Sequence, residues 1–154
     1  MHTHSLARYM ECIYRDDWQS VAELMLDSAK KLASIGADFL ICPDNTIHQA
    51  LPYIEEQSPR PWLHIARVLD AEAKSHGFAR IGLTGTRYLV ESAVYPADYV
   101  RPSAEERAEI NRIIFEELVY GVFKPEAVAY FQVREIERLG SHFILLANFA
   151  RGVS

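Results

Sequence analysis

Cysteine is scarce in this chain: 154 residues hold two, Cys12 and Cys42. Neither belongs to a CxxC pair or to a His-rich spacing, so no disulfide framework and no metal site is expected, and a reducing cytoplasm is the compartment that fits. Long apolar runs are missing too. None approaches the roughly 20 residues a membrane-spanning helix needs, and MHTHSLARYM lacks the apolar stretch of a secretory signal, so no membrane partner is expected. Basic clusters are absent: 16 Lys and Arg lie scattered against 21 Asp and Glu, for a formal net charge of -5. That balance argues against nucleic acid and against an anionic membrane surface, and leaves a small molecule as the expected partner. Low-complexity tracts, Gly/Ser linkers and short repeats are also lacking.

What is present is a 49% hydrophobic chain, enough to bury a core as one unit over 1–154. DDWQSVAELMLDSAKKLASIG has the spacing of an amphipathic helix, with Trp18, Val21, Leu24, Met25 and Leu32 on one stripe and Gly36 as its stop. Phe39 to Cys42 then reads as a buried strand. TIHQALPYIEEQ predicts a short helix disturbed by Pro52, SPRPW breaks the chain, and Leu63 to His76 predicts a helix with Ile65, Val68, Leu69 and Ala73 inward. Arg80 to Leu83 predicts a second strand, and RYLVESAVY a helix after it. PSAEERAEINRIIFEELVYGVF is the clearest helix: Ser103 and Glu106 have capping-box spacing, and Ile110, Ile113, Ile114 and Leu118 form its stripe. A helix from Pro125 to about Leu139 and a strand over HFILLA complete the pattern. Strands alternating with helices predict an α/β fold, one parallel sheet with helices on both faces.

Ligands of open parallel sheets gather beyond the carboxyl ends of strands, where helix N-termini present unsatisfied N–H groups. Two such ends occur here, at Asp44-Asn45-Thr46 and at Thr84-Gly85-Thr86. If both ends converge, Asn45, Thr46, Thr84, Gly85 and Thr86 supply donors that suit one carboxylate. The plainer reading of either junction is a helix cap, with Asp44 or Asn45 at the N-cap. His48, four residues beyond Asp44, is either an acid/base partner for it or a local packing and capping residue; His64 reads as a packing residue, and His2 and His4 as solvated terminal residues. Cys42 reads as an inert core thiol.

In GADFLICPDNTIHQAL, PWLHIA, RIGLTGTRYLVESAVY and EINRIIFEELVYGVF the chain resembles the aspartate/glutamate racemase family, the cofactor-independent amino-acid racemases, over about Asp16 to Leu139. The resemblance implies two facing α/β lobes and a cysteine from each as the two bases that remove and return a proton at the substrate Cα. It also implies that Asn45, Thr46, Thr84, Gly85 and Thr86 hold the substrate carboxylate, without metal or other cofactor. Asp44 stands where the family has its first cysteine and Asn148 where it has its second. The 154 residues are fewer than a pair of lobes usually needs, so the resemblance implies an incomplete pair, with 1–98 derived from the first lobe and 99–154 the remainder. The expected function is therefore a PLP-independent racemase or related isomerase of amino acid metabolism with Asp44 as base. The alternative is a non-catalytic carboxylate-binding or self-associating relative, for which homo-oligomers are expected.

Overall fold

The computed structural model describes residues 1–131 and, for their backbone, 143–146. The chain divides into two compact units, Met1–Val68 and Leu69–Ser154.

The first unit opens with two packed helices, α1 (Leu6–Tyr14) and α2 (Trp18–Ser34). Tyr9, Cys12 and Ile13 of α1, at i, i+3 and i+4, are buried, as are Val21, Ala22, Met25, Leu26 and Ala29 of α2. Burial of a side chain the size of Met25 contributes about 1.5–3 kcal/mol. Asp17 starts α2 by accepting a hydrogen bond from the Ser20 N–H at 3.0 Å. Gly36 ends it at φ 93, where the Gly36 N–H reaches the Ala33 carbonyl and the Ala37 N–H the Leu32 carbonyl, each at 3.1 Å. Only a residue that tolerates positive φ closes a helix this way. Strand β1 (Leu40–Ile41) pairs in parallel with β2 (Trp62–Leu63).

Between them lies a 3₁₀ helix, Thr46–Tyr53, followed by a second at Glu55–Gln57. Pro52 lies inside the first; it lacks the N–H that an α-helix would bond to the fourth carbonyl back, and its ring crowds that carbonyl. The chain closes three-residue turns instead, as at the Ile54 N–H to Leu51 carbonyl, 3.0 Å. Ala50, Leu51 and Ile54 are each at most 1% exposed, and the first 3₁₀ helix packs on α2.

Helix α3 (Ile65–Ser75) carries the division between the units, and Gly77 at φ 70 closes it. In the second unit β3 (Ile81–Thr84) is buried at every position. After the single-turn helix α4 (Arg87–Val90) comes α5 (Ala104–Glu116), and β4 (Phe143–Leu146) pairs with β3 in parallel, Ile81 opposite Phe143. On the other edge of β3 the Val100 N–H reaches the Ile81 carbonyl at 2.8 Å, and the Leu83 N–H reaches the Val100 carbonyl at 2.9 Å. The loop that delivers Val100 is gathered by Arg101, whose guanidinium donates to the carbonyls of Val90, Tyr95, Pro96, Ala97 and Tyr99 at 2.8–3.4 Å. The capping box of α5 is present: the Glu106 N–H donates to Ser103 Oγ at 3.3 Å and the Ser103 N–H to Glu106 Oε2 at 2.9 Å. Ile110, Ile113 and Ile114 form its buried stripe. A helix covers 125–131.

The fold is mixed α/β, mostly helical, with little parallel sheet. Four expectations are corrected. Among the described residues the strands form two separate parallel pairs rather than one sheet. The apolar run at 39–42 gives only two ladder residues, because Leu40 is buried whereas Phe39 and Ile41 are 55% and 67% exposed. Val68 points outward from α3, at 54% exposed. The helices expected over RYLVESAVY and through Phe123 stop early, at Val90 and Glu116. The second stops where Glu117 is buried between Arg112 at 2.9 Å and Lys124 at 3.2 Å. The helix end near Leu139, His142 and Asn148 lie outside the described residues.

Candidate functional site

The turn after β1 is built in the first unit from Pro43 to His48. Asp44 is half-buried and its Oδ1 accepts the Ile47 N–H at 3.1 Å, which occupies the carboxylate as a cap on the following 3₁₀ turn. Asn45 and Thr46 are buried, at 4% and 9% exposed. His48, 1% exposed, holds the turn from beneath. Its Nδ1 lies 2.7 Å from the Asp44 backbone carbonyl, and its Nε2 3.3 Å from the Ile65 N–H. A carbonyl only accepts and an amide N–H only donates, so Nδ1 carries the proton and Nε2 offers its lone pair. Burial accordingly holds the His48 pKa below its ordinary value. Both ring nitrogens are spent on backbone, and no acid/base couple with the Asp44 carboxylate forms. Of the two roles open to His48, local capping is the one realised.

Cys42 Sγ donates to the same Asp44 carbonyl at 3.6 Å, and burial pushes its thiol up to about 11. A thiol protonated at neutral pH is a poor base or nucleophile. His64 packs edge-on to His48, ring centroids 4.7 Å apart, and desolvation with the neighbouring His48 lowers it to about 4.

The turn after β3 belongs to the second unit. Thr84 is fully buried, and Gly85 turns the chain at φ 149, a value that favours glycine. Thr86 is the N-cap of α4 by its backbone, its carbonyl accepting the N–H groups of Leu89 and Val90 at 3.0 Å. Its side chain does not cap: Oγ1 is buried without a hydrogen-bond partner among the described residues. The Arg87 N–H is met instead by Asn111 Oδ1 of α5, at 3.1 Å. Asp44, Asn45 and Thr46 are thus together in one turn, and Thr84, Gly85 and Thr86 together in another.

Tyr9 is a residue that sequence reasoning passed over. It is buried on α1, chiefly desolvation raises its phenol pKa, and it is close enough to Cys42 and Asp44 for their charges to raise it further. The signal was available as Tyr9, Cys12 and Ile13 at helical spacing after Ser5. Arg101 was missed for a different reason: a guanidinium that binds five carbonyls leaves no pattern of spacing to read.

A family model for Asp/Glu/hydantoin racemases matches residues 2–117. The chain belongs to this family. Two solved structures place it further. A crystal structure of a proposed Asp/Glu racemase from Yersinia pestis is 29% identical, with a TM-score of 0.83 over 94% of this chain and 67% of that one. An aspartate racemase homologue from Pyrococcus horikoshii OT3 is 26% identical, with a TM-score of 0.71 over 86% of this chain and 62% of that one. This family member therefore spans about two thirds of the length of the relatives it matches. Among its described residues, no helix is long and apolar enough to cross a membrane.

Proposed function

We propose that this racemase-family chain binds a small carboxylate or amino acid: in the second unit Thr86 is a hydroxyl donor beside Thr84 and Gly85, and in the first unit Asn45 and Thr46 are the contacts the family pattern implies. One observation carries the reading: Thr86 Oγ1 is buried and has no hydrogen-bond partner among the described residues. A buried hydroxyl left unpaired costs about 1–3 kcal/mol, and a ligand oxygen is what would repay it in a family built around carboxylate substrates. Racemisation by two thiols has no support in the first unit, where Asp44 holds the position of the first cysteine and Cys42 is engaged with a carbonyl. Proton exchange at Cα is left to one base, the half-buried Asp44, which makes an isomerase-like exchange the catalytic form of the proposal. The incomplete pair of lobes, with segments 1–98 and 99–154, belongs to the same reading.

Incubation with amino acids and dicarboxylates in deuterium oxide, followed by proton NMR, tests the catalytic form. Exchange at Cα that disappears in Asp44→Asn supports it; binding without exchange reduces the protein to a carboxylate-binding relative. Self-association is a second reading with its own observation: Phe39, Ile41 and Leu63, 55%, 67% and 47% exposed, share one side of the β1–β2 pair by strand alternation and register. Sedimentation at increasing concentration checks it, and a monomer throughout removes it.

A further inference from the structure

We propose that His2, His4 and Asp27 form a binding site for a divalent transition metal of the zinc class. The three residues come from two places, the segment before α1 and the middle of α2, and offer donor atoms that lie within 4.8 Å of one another. Two imidazoles and a carboxylate are the donor set that zinc and its neighbours prefer, whereas magnesium and calcium take oxygen ligands.

The hydrogen bonds around the cluster prepare it for a metal. Ser28 Oγ donates its hydrogen to the Leu24 carbonyl at 3.0 Å. Towards His2 Nδ1, 2.9 Å away, it is therefore an acceptor. In that arrangement His2 carries its proton on Nδ1, and Nε2 keeps a lone pair for coordination. A hydroxyl that fixes the tautomer of a ligating imidazole is a common supporting contact in metal sites. His4 is held against the His2 ring edge-on, centroids 5.1 Å apart, and its side chain is 14% exposed. Its Nε2 is buried and lies 2.8 Å from Asp27 Oδ2 without the alignment of a regular hydrogen bond. Asp27 Oδ2 also meets the Lys31 ammonium at 2.6 Å.

Bond lengths of about 2.0–2.2 Å put neighbouring donors of a tetrahedral zinc roughly 3.3 Å apart. The His4 and Asp27 atoms, 2.8 Å apart, must separate slightly, and His2, which lies outside any helix, must also adjust. Coordination at His4 Nε2 moves that ring's proton to Nδ1 and gives up a 3.4 Å contact from Arg8. Lys31 and Arg8 are the cations that oppose the metal. Lys31 shares Asp27 Oδ2 and must swing outward, which its 50% exposed side chain allows. Three protein ligands leave the metal a position for water, and binding would fasten residues 2–4 to α2.

The test uses the full chain without a histidine tag, titrated with Co²⁺ for its visible spectrum and with Zn²⁺ in competition. The expected result is one equivalent per chain and a Zn²⁺-dependent rise in the unfolding midpoint. His2→Ala should remove that rise while its metal-free midpoint stays that of the parent, which separates lost ligation from lost folding. Ser28→Ala should weaken binding about 10–100-fold through the freed tautomer. His76→Ala, at an exposed position just after α3, should change nothing. Absence of stoichiometric Co²⁺ binding, or binding undiminished in the His2→Ala, His4→Ala double variant, overturns the proposal.

Discussion

The turns after β1 and after β3 look alike in sequence, Asp44-Asn45-Thr46 and Thr84-Gly85-Thr86, each a short polar stretch between a strand and a helical segment. Their chemistry differs. The first is saturated from within: the Asp44 carboxylate takes the Ile47 N–H and the Asp44 carbonyl takes His48 Nδ1. The second borrows its cap from elsewhere, the Arg87 N–H going to Asn111, and leaves the Thr86 hydroxyl buried and unpaired. A turn whose polar groups satisfy one another is structural by construction, while one that retains an unmet donor has capacity for a ligand. The first turn therefore serves as frame, with the half-buried Asp44 carboxylate at its edge, and the second has the open valence.

The largest expected effect separates the turns by stability. His48→Ala strips two buried backbone groups of their partner and leaves a cavity, and should cost about 3 kcal/mol or more in denaturant unfolding. A cost below about 1 kcal/mol would mean that the first turn does not depend on the imidazole.

Acid should probe the same frame. His64 falls from 6.5 to about 4 on folding, mainly by desolvation. A histidine whose folded pKa is depressed binds fewer protons when folded, so its contribution is complete above about 6.5 and is lost as pH falls from there towards 4. His48 shifts in the same direction. His64→Leu should flatten that part of the stability profile by roughly 1–3 kcal/mol; an unchanged slope between those pH values contradicts the assignment.

Smaller effects belong to the second turn. Asn111→Ala removes the acceptor of the Arg87 N–H and should cost about 1 kcal/mol in the same unfolding measurement, as loss of a capping side chain does. Thr86→Val should cost nothing and instead stabilise by up to about 1–3 kcal/mol, because the hydroxyl it removes is buried without a partner among the described residues. A substantial loss in Thr86→Val would show that the hydroxyl is already satisfied and would erase the contrast between the turns.

Much of the frame was legible in the sequence. The α5 capping box, the buried isoleucines behind it, the glycine stops and the parallel sense of the strands all follow from local spacing. What escaped depends on contacts between distant residues. Trp62-Leu63, hidden between Pro61 and His64, is a strand only because Leu40 and Ile41 lie beside it. His2 and His4 looked solvated because nothing nearby in sequence announces Asp27. The saturation of Asp44 and the unpaired state of Thr86 are likewise properties of three-dimensional hydrogen bonding, which no motif of residue types distinguishes.

The most direct measurement is calorimetric titration of a dicarboxylate such as aspartate or glutamate into the parent chain, Thr86→Val, Thr46→Val and Asp44→Asn. Binding in the parent should weaken in both threonine variants through loss of a donor. It should tighten in Asp44→Asn, since removing a carboxylate removes a like charge that opposes an anion. Affinity lost in Thr86→Val with stability intact is the result the account predicts; no binding in the parent, or equal affinity in all four proteins, contradicts it.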